Sequence, residues 1–431
     1  MPSGDQSSQK GKRLIEHPRP ARRVAITGIG AITPIGSGVE GLWRGVLAGR
    51  SAVRRVDRFD PSAFRSQVAG QIDDFDPLDH LEAQRARRLD RYSLFAVAAA
   101  QQAVLDSGLC LSARDAEQTG VYLGSALGGL SFAEEQHVEF MGKGLRAVNN
   151  ILALTVFGSA SSCNIAMEMG LFGPNQTNAN SCASGAVAVG EAFRLIRSGG
   201  AEVMLAGGVE APLAPLIFGA FDLIRALSSN CNSEPQLASR PFDARRDGFV
   251  LAEGSAVLVL EELEHARERG ARIYAEVLGY ATTTDAYHMT APRPDGAQAI
   301  RAMREALAEA RLQPSEIEHI NAHASSTPLN DKTETMAIKQ VFGEAAYHIP
   351  VSGTKSMHGH ALGASGAIEL AISCLSLHRD YLPPTINLRN PDPECDLDYL
   401  PGQGRHARVN TILSNSFGFG GINACVILGR A

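Results

Sequence analysis

The chain has 431 residues, 44% of them hydrophobic and 20% charged, with a net charge of −6. That length exceeds one ordinary domain and supplies a large core or two fused ones, while the absence of an overall basic field argues against a nucleic-acid binder. Seven scattered cysteines without C-x-x-C spacing do not suggest a disulfide framework and fit a reducing cytoplasm.

In chain order, residues 1–22 are polar and partly basic and lack the apolar core of a signal peptide, so they read as a mobile tail. "RRVAITGIGAITPIG", from Arg22, is an apolar strand running into Gly and Thr, and it opens a first α/β half spanning 23–270. "QRARRLDRY" predicts an exposed helix presenting Arg85, Arg87 and Arg88. From Ala147 to Gly190 the only charge is Glu168, yet Asn, Ser, Thr and Gln recur too often for a membrane span. This stretch reads as protein interior or subunit interface. "NSCASGAVAVGEAFRLIRSGG" predicts a buried helix with Asn180 and Ser181 as candidate caps, Cys182 in its first turn and a stop at Gly199 and Gly200. A thiol at a helix start meets unpaired amides and the helix dipole, which favour the thiolate.

A second opening, "ARIYAEVLGYATTTD" from Ala271, resembles the first and starts a half spanning 271–431. "IEHINAH" reads as a strand ending at His323, and Pro328 begins a helix. "IPVSGTKSMHGH" is a strand and loop carrying Lys355, His358 and His360, followed by a Gly/Ala-rich helix containing Glu369. "VNTILSNSFGFGGINACVILGR" is two strands joined by a glycine turn. Reactive residues therefore gather at strand ends, where α/β sheets place their sites.

Three chemistries compete. His358 and His360 suggest a metal, but they match no zinc spacing and lack a clear fourth ligand, so no metal is expected. A cysteine hydrolase needs Cys182 and a single histidine. Two histidines suit a reaction in which a thioester enolate must also be stabilised.

Four ordered segments, "NSCASGAVAVGEAFRLIRSG", "NAHASSTPLNDKTE", "GTKSMHGHALGASGAIE" and "SNSFGFGGINA", resemble the signatures of β-ketoacyl-acyl-carrier-protein synthase II. The likeness runs from about Arg23 to the C-terminus. It implies the thiolase fold, with duplicated halves in a five-layered αβαβα sandwich, usually as a homodimer. It also implies an acyltransferase that condenses an acyl-enzyme with malonyl-carrier protein. A polyketide ketosynthase of the same chemistry, and a noncatalytic chain-length partner in a ketosynthase heterodimer, are the alternatives; Cys182 argues against the second.

Carried onto this chain, the resemblance makes Cys182 the nucleophile and His323 and His360 the pair serving decarboxylation and the enolate. Lys355 joins the catalytic set, with Glu369 supporting it. Phe419 is the gating residue whose N–H, with that of Cys182, forms the oxyanion hole. Ser325, Thr327 and Phe417 bind substrate, and Leu127 lines the acyl tunnel. Arg87, Arg88 and Arg146 dock the acyl carrier protein, which brings its own phosphopantetheine, so no other cofactor is implied. Two departures stand out: Ala324 occupies a position where the family has glycine, and His358 one where threonine is common, read as a local variation and not a third catalyst.

Overall fold

The computed structural model describes residues 22–431, apart from the side chain at 114. The expected tail lies outside this range except for Arg22, whose guanidinium meets Glu202 at 2.7 Å.

Ten strands follow one another along the main sheet. They are β1 (Val24–Thr33), β2 (Thr119–Gly124), β3 (Asn175–Asn178), β4 (Val203–Glu210), β5 (Gly254–Glu262), β6 (Ala275–Thr284), β7 (His319–Asn321), β8 (Val351–Ser352), β9 (Thr411–Gly418) and β10 (Ile422–Gly429). Their order is β8-β7-β9-β10-β6-β1-β5-β4-β2-β3. The helices that matter here are α1 (Arg91–Ser107), α2 (Leu130–Lys143), α3 (Ala160–Met169), α4 (Ser184–Arg197), α5 (Pro215–Leu223), α6 (Ala297–Ala310), α7 (Pro328–Phe342) and α8 (Leu362–Arg379).

The duplication suggested by the two strand openings is complete in the topology. In each half the first strand runs antiparallel to the last, the last is antiparallel to the next, and two further strands continue in parallel. The halves join where β1 pairs antiparallel with β6, the two openings themselves. Helices α1 and α3 pack outside the first half-sheet and α6 and α7 outside the second, while α4 and α8 lie between the half-sheets and touch both. That gives the five layers.

Small residues set these approaches. All ten residues of β1 are buried, and a Cβ at Gly30 would come within 1.8 Å of the Ala99 carbonyl, so α1 lies directly on the strand. In the middle layer a Cβ at Gly185 would meet the Gly363 carbonyl at 2.8 Å. The Gly/Ala-rich composition of α4 and α8 thus brings their N-termini together. Cys182 precedes one and His360 the other, so this packing assembles the site.

The sequence expectations need two corrections here. The helix expected to present Arg85, Arg87 and Arg88 is a single turn, Ala83–Ala86, that contains only Arg85, and Arg85 is not a free surface charge: it meets Glu168 at 2.8 Å and Asn164 at 2.9 Å. The 147–190 stretch is interior in part only. Leu154, Val156, Met167 and Phe172 are all more than half exposed, and Met141 and Leu145 extend the same apolar run toward α2.

Candidate active site

Cys182 sits in a one-turn 3-10 helix, Ser181–Ala183, that feeds α4. The expected caps do not form: neither Asn180 nor Ser181 caps α4 with its side chain. The entry is instead held by Ser184 Oγ donating to the Ser181 carbonyl at 2.7 Å and by Asn178 Nδ2 donating to the Ser184 carbonyl at 3.0 Å. Ser181 is held at φ 50°, a left-handed conformation unfavourable for a residue with a Cβ. The result is a sharp corner with the thiol at its tip.

The backbone N–H groups of Phe419 and of Cys182 itself favour charge on the Cys182 sulfur. A Cβ at Gly418 would lie 3.1 Å from the Cys182 nitrogen, so the glycine turn between β9 and β10 packs against the nucleophile's backbone. Burial nevertheless outweighs these groups and Lys355, and pushes the thiol up to about 11. This corrects the expectation of a standing thiolate: the helix start does not overcome desolvation. Attack therefore requires the proton to leave as substrate arrives.

His323 follows β7 and His360 precedes α8, with ring centroids 5.4 Å apart. Burial first, then the Lys355 charge, holds both well below the usual histidine range, so both are neutral. The His323 tautomer follows from its neighbour. Lys355 Nζ, 3.4 Å from His323 Nδ1, has donors only, so Nδ1 is the lone-pair nitrogen and the ring proton is on Nε2. His360 Nδ1 faces Ser365 Oγ at 2.9 Å, and a hydroxyl donating there leaves His360 Nε2 with the proton too. Two neutral N–H donors suit a developing enolate oxygen better than a base.

Lys355 and Glu369 form a buried ion pair, and Lys355 Nζ also donates to the His323 carbonyl at 2.6 Å. Burial pushes Glu369 up against the pull of Lys355. Neither lines the cavity described below; Lys355, expected among the catalytic groups, is linked to that cavity through its contacts with His323.

A cavity of about 320 Å³ is lined by Cys182, His323, His360, Ser325, Thr327, Phe417 and Phe419, bringing seven of the expected residues together. Ser325 and Thr327 are linked hydroxyl to hydroxyl at 3.0 Å. Leu127 lies outside this lining, in the apolar cluster that packs on Cys182 and Leu362 with Phe218, Phe249 and Phe419. Arg87, Arg88 and Arg146 are exposed and, among the described residues, carry no ion pair.

The departure at Ala324 has a backbone consequence. Its φ is 43°, where glycine is at ease and alanine is strained. Glu334, missed in the sequence, compensates: its carboxylate accepts the N–H of His323 at 2.8 Å and of Ala324 at 2.9 Å. The available signal was Asp331 and Glu334 at i, i+3 in "NDKTE", one face of α7. Also missed were Phe249, whose ring meets the His360 ring edge-on at 5.2 Å, and the exposed Arg225 at the cavity mouth. His358 is buried outside the cavity lining, in keeping with a local variation.

A corner cysteine beside the Phe419 N–H and two neutral imidazoles on one cavity fit the class that makes carbon–carbon bonds from thioesters. Sequence profiles of the beta-ketoacyl synthase N-terminal and C-terminal domains match residues 21–266 and 274–389. The chain is 48% identical over 402 residues to 3-oxoacyl-[acyl-carrier-protein] synthase 2 of Synechocystis, covering 93% of this chain and 96% of the relative. It is 43% identical over 409 residues to the protein of that name from Coxiella burnetii, covering 95% and 99%. Among solved structures, the complex of a type II polyketide ketosynthase bound to the hexaketide with its acyl-carrier protein (AntDE:AntF) superposes with a TM-score of 0.89 at 38% identity, covering 95% of this chain and all of that one. A beta-ketoacyl synthase from Burkholderia phymatum gives 0.88 at 35%, with the same coverage. This chain belongs to the beta-ketoacyl synthase family, and its fold is the thiolase-type sandwich of these ketosynthases.

Proposed function

We propose that the chain is a β-ketoacyl-acyl-carrier-protein synthase that extends a fatty acyl chain by two carbons. Cys182 sulfur attacks the acyl thioester, the C–S bond to the carrier's phosphopantetheine breaks, and the carrier thiol leaves with the proton. Malonyl-carrier protein then loses CO2, the bonding pair passing into an enolate whose oxygen accepts from His323 and His360. The enolate carbon attacks the acyl-Cys182 carbonyl; the new C–C bond forms, the C–S bond breaks, and Cys182 leaves as a thiolate that takes one proton from solvent to return to the thiol. These steps balance without a metal or redox cofactor. The observation that carries the reading is the pair of neutral histidines, the His323 proton position set by Lys355, on the same cavity as a cysteine cornered at a helix start.

Acyl carrier protein is the partner, with Arg87, Arg88, Arg146 and the mouth residue Arg225 as docking groups for its acidic surface. The exposed apolar run from Met141 to Phe172 is where a second copy packs, since a patch of this kind marks an interface. No helix among the described residues is long and apolar enough to cross a membrane, and the free cysteines suit a reducing cytoplasm. Polyketide extension is the second reading, favoured by the ketosynthase structure whose name carries that chemistry; the relatives at 42–48% identity favour fatty acid elongation.

The test is incubation with acyl-carrier proteins of graded length and malonyl-carrier protein, followed by mass spectrometry of enzyme and product. Acylation at Cys182 and a β-ketoacyl product two carbons longer are expected. No acyl-enzyme with any length would overturn the reading.

A further inference from the structure

Glu210 ends β4, is fully buried, and takes no part in the mechanism above. One of its oxygens carries an unusual load. Oε1 accepts from Ser125 Oγ at 2.7 Å, from the Leu127 N–H at 3.2 Å and from the Ala126 N–H. Ser125 Oγ in turn accepts the Gly128 N–H at 2.9 Å. Every amide of the turn from Ala126 to Gly128 is thereby tied to this one carboxylate, directly or through Ser125.

That turn delivers Ala126 and Leu127 into the apolar cluster around Cys182. The carboxylate also sits under the start of α8: a Cβ at Gly363 would lie 2.9 Å from Glu210 Oε1 and 2.6 Å from the Ala126 nitrogen. Leu362, the neighbour of Gly363, belongs to the same cluster. One buried side chain thus underpins two apolar groups of the cluster to which the nucleophile belongs. Its other oxygen, Oε2, has no partner, an unfavourable arrangement in a dry interior that the three contacts on Oε1 offset.

We propose that Glu210 is a positioning residue for acyl-chain selection, holding the Ser125–Gly128 turn so that Leu127 presents a fixed wall to the chain carried on Cys182. The inference rests on Cys182 being the acyl acceptor. With the turn anchored, one methylene too many meets a wall that does not yield; with it released, Leu127 gives way and length discrimination weakens.

The experiment is self-acylation of the full chain with a graded series of acyl-phosphopantetheine thioesters, followed by intact mass. The readout is the rate ratio between the best length and the first poorly accepted longer one. Glu210→Ala removes the acceptor, and the ratio is expected to fall by about tenfold, the scale on which a pocket wall rejects an extra methylene. Glu210→Gln keeps an acceptor of the same shape and should hold the ratio within about twofold. Ser125→Ala should move it in the direction of Glu210→Ala by a smaller factor. A folded Glu210→Ala chain that loses rate equally at all lengths has only a structural glutamate there, and the proposal is wrong. If that variant does not fold, Ser125→Ala decides, and an unshifted ratio overturns the proposal. Absence of acyl-enzyme in the unmodified chain would instead remove the condensing reading on which it stands.

Discussion

Lys355 Nζ donates to the His323 carbonyl at 2.6 Å and faces the same residue's Nδ1 at 3.4 Å, so one ammonium holds both the backbone and the ring of a single histidine. Its third direction is taken by Glu369. Lys355→Met should therefore have two separable effects. It leaves a buried carboxylate without its counter-charge, a loss of about 3–5 kcal/mol in chemical denaturation that the double variant Lys355→Met/Glu369→Leu largely restores. It also frees the His323 tautomer, so malonyl decarboxylation should fall much further than self-acylation in both variants. A variant decarboxylating at the unmodified rate would show that the lysine does not set the proton position.

The two half-reactions place different demands on the site. Cys182→Ala should abolish acylation and elongation while some malonyl decarboxylation survives, because His323, His360 and the Phe419 amide remain. His323→Ala or His360→Ala should suppress elongation yet still acylate Cys182 slowly. With the thiol pushed up to about 11, the thiolate fraction grows about tenfold per pH unit below that value, and acylation of these variants should rise with the same slope. Intact mass and CO2 release, followed separately from neutral to alkaline pH, check both. A pH-independent acylation rate in the histidine variants would mean that a standing thiolate exists after all.

Much of this site was legible because its chemistry is local. The Cys182, His323 and His360 segments each announce a strand or loop feeding a helix, and the paired openings at Arg22 and Ala271 announce the duplication. What the sequence concealed depends on packing between distant segments. Glu168, the lone charge of its stretch, looks isolated until Arg85 meets it across 83 positions, which also removes Arg85 from the basic patch. The thiol's position on the pH scale was misjudged for a related reason. The helix start is visible in sequence, whereas the burial that outweighs it comes with an apolar cluster that gathers Cys182, Leu362, Phe218 and Phe249 from separate parts of the chain.

An enzyme of net charge −6 that binds an acidic carrier needs a local basic surface. Arg87→Glu/Arg88→Glu should lower kcat/KM for carrier-bound substrates by about tenfold and leave small acyl thioesters unchanged, with the difference shrinking at high salt. Arg225→Glu, at the cavity mouth, should act in the same sense. Equal loss on both substrate types would assign these arginines to folding or catalysis rather than docking.

His358 offers a test of burial free of catalytic consequence. Its ring is fully buried, Nε2 reaches Thr354 Oγ1 only at 3.3 Å, and Nδ1 has no partner. Burial first, then the Lys355 charge, pushes it down to about 3. A histidine depressed in the folded state takes up its proton near pH 6.5 only when unfolded, so its contribution to stability is complete above that pH and is lost as pH falls from about 6.5 toward about 3. Threonine has nothing to protonate. Relative to the unmodified chain, His358→Thr should gain about 2 kcal/mol between pH 7 and pH 5, on top of a pH-independent offset from the smaller side chain. The other buried histidines and the buried carboxyls Glu210 and Glu369 are present in both chains and cancel in the difference. Denaturation curves of the two chains at matched pH measure it, with condensation expected to stay within about twofold because His358 lies outside the cavity lining. Two curves that run parallel from pH 7 to pH 5 would mean that the folded protein protonates His358 as readily as the unfolded chain does, and that the packing around it is looser than the structure describes.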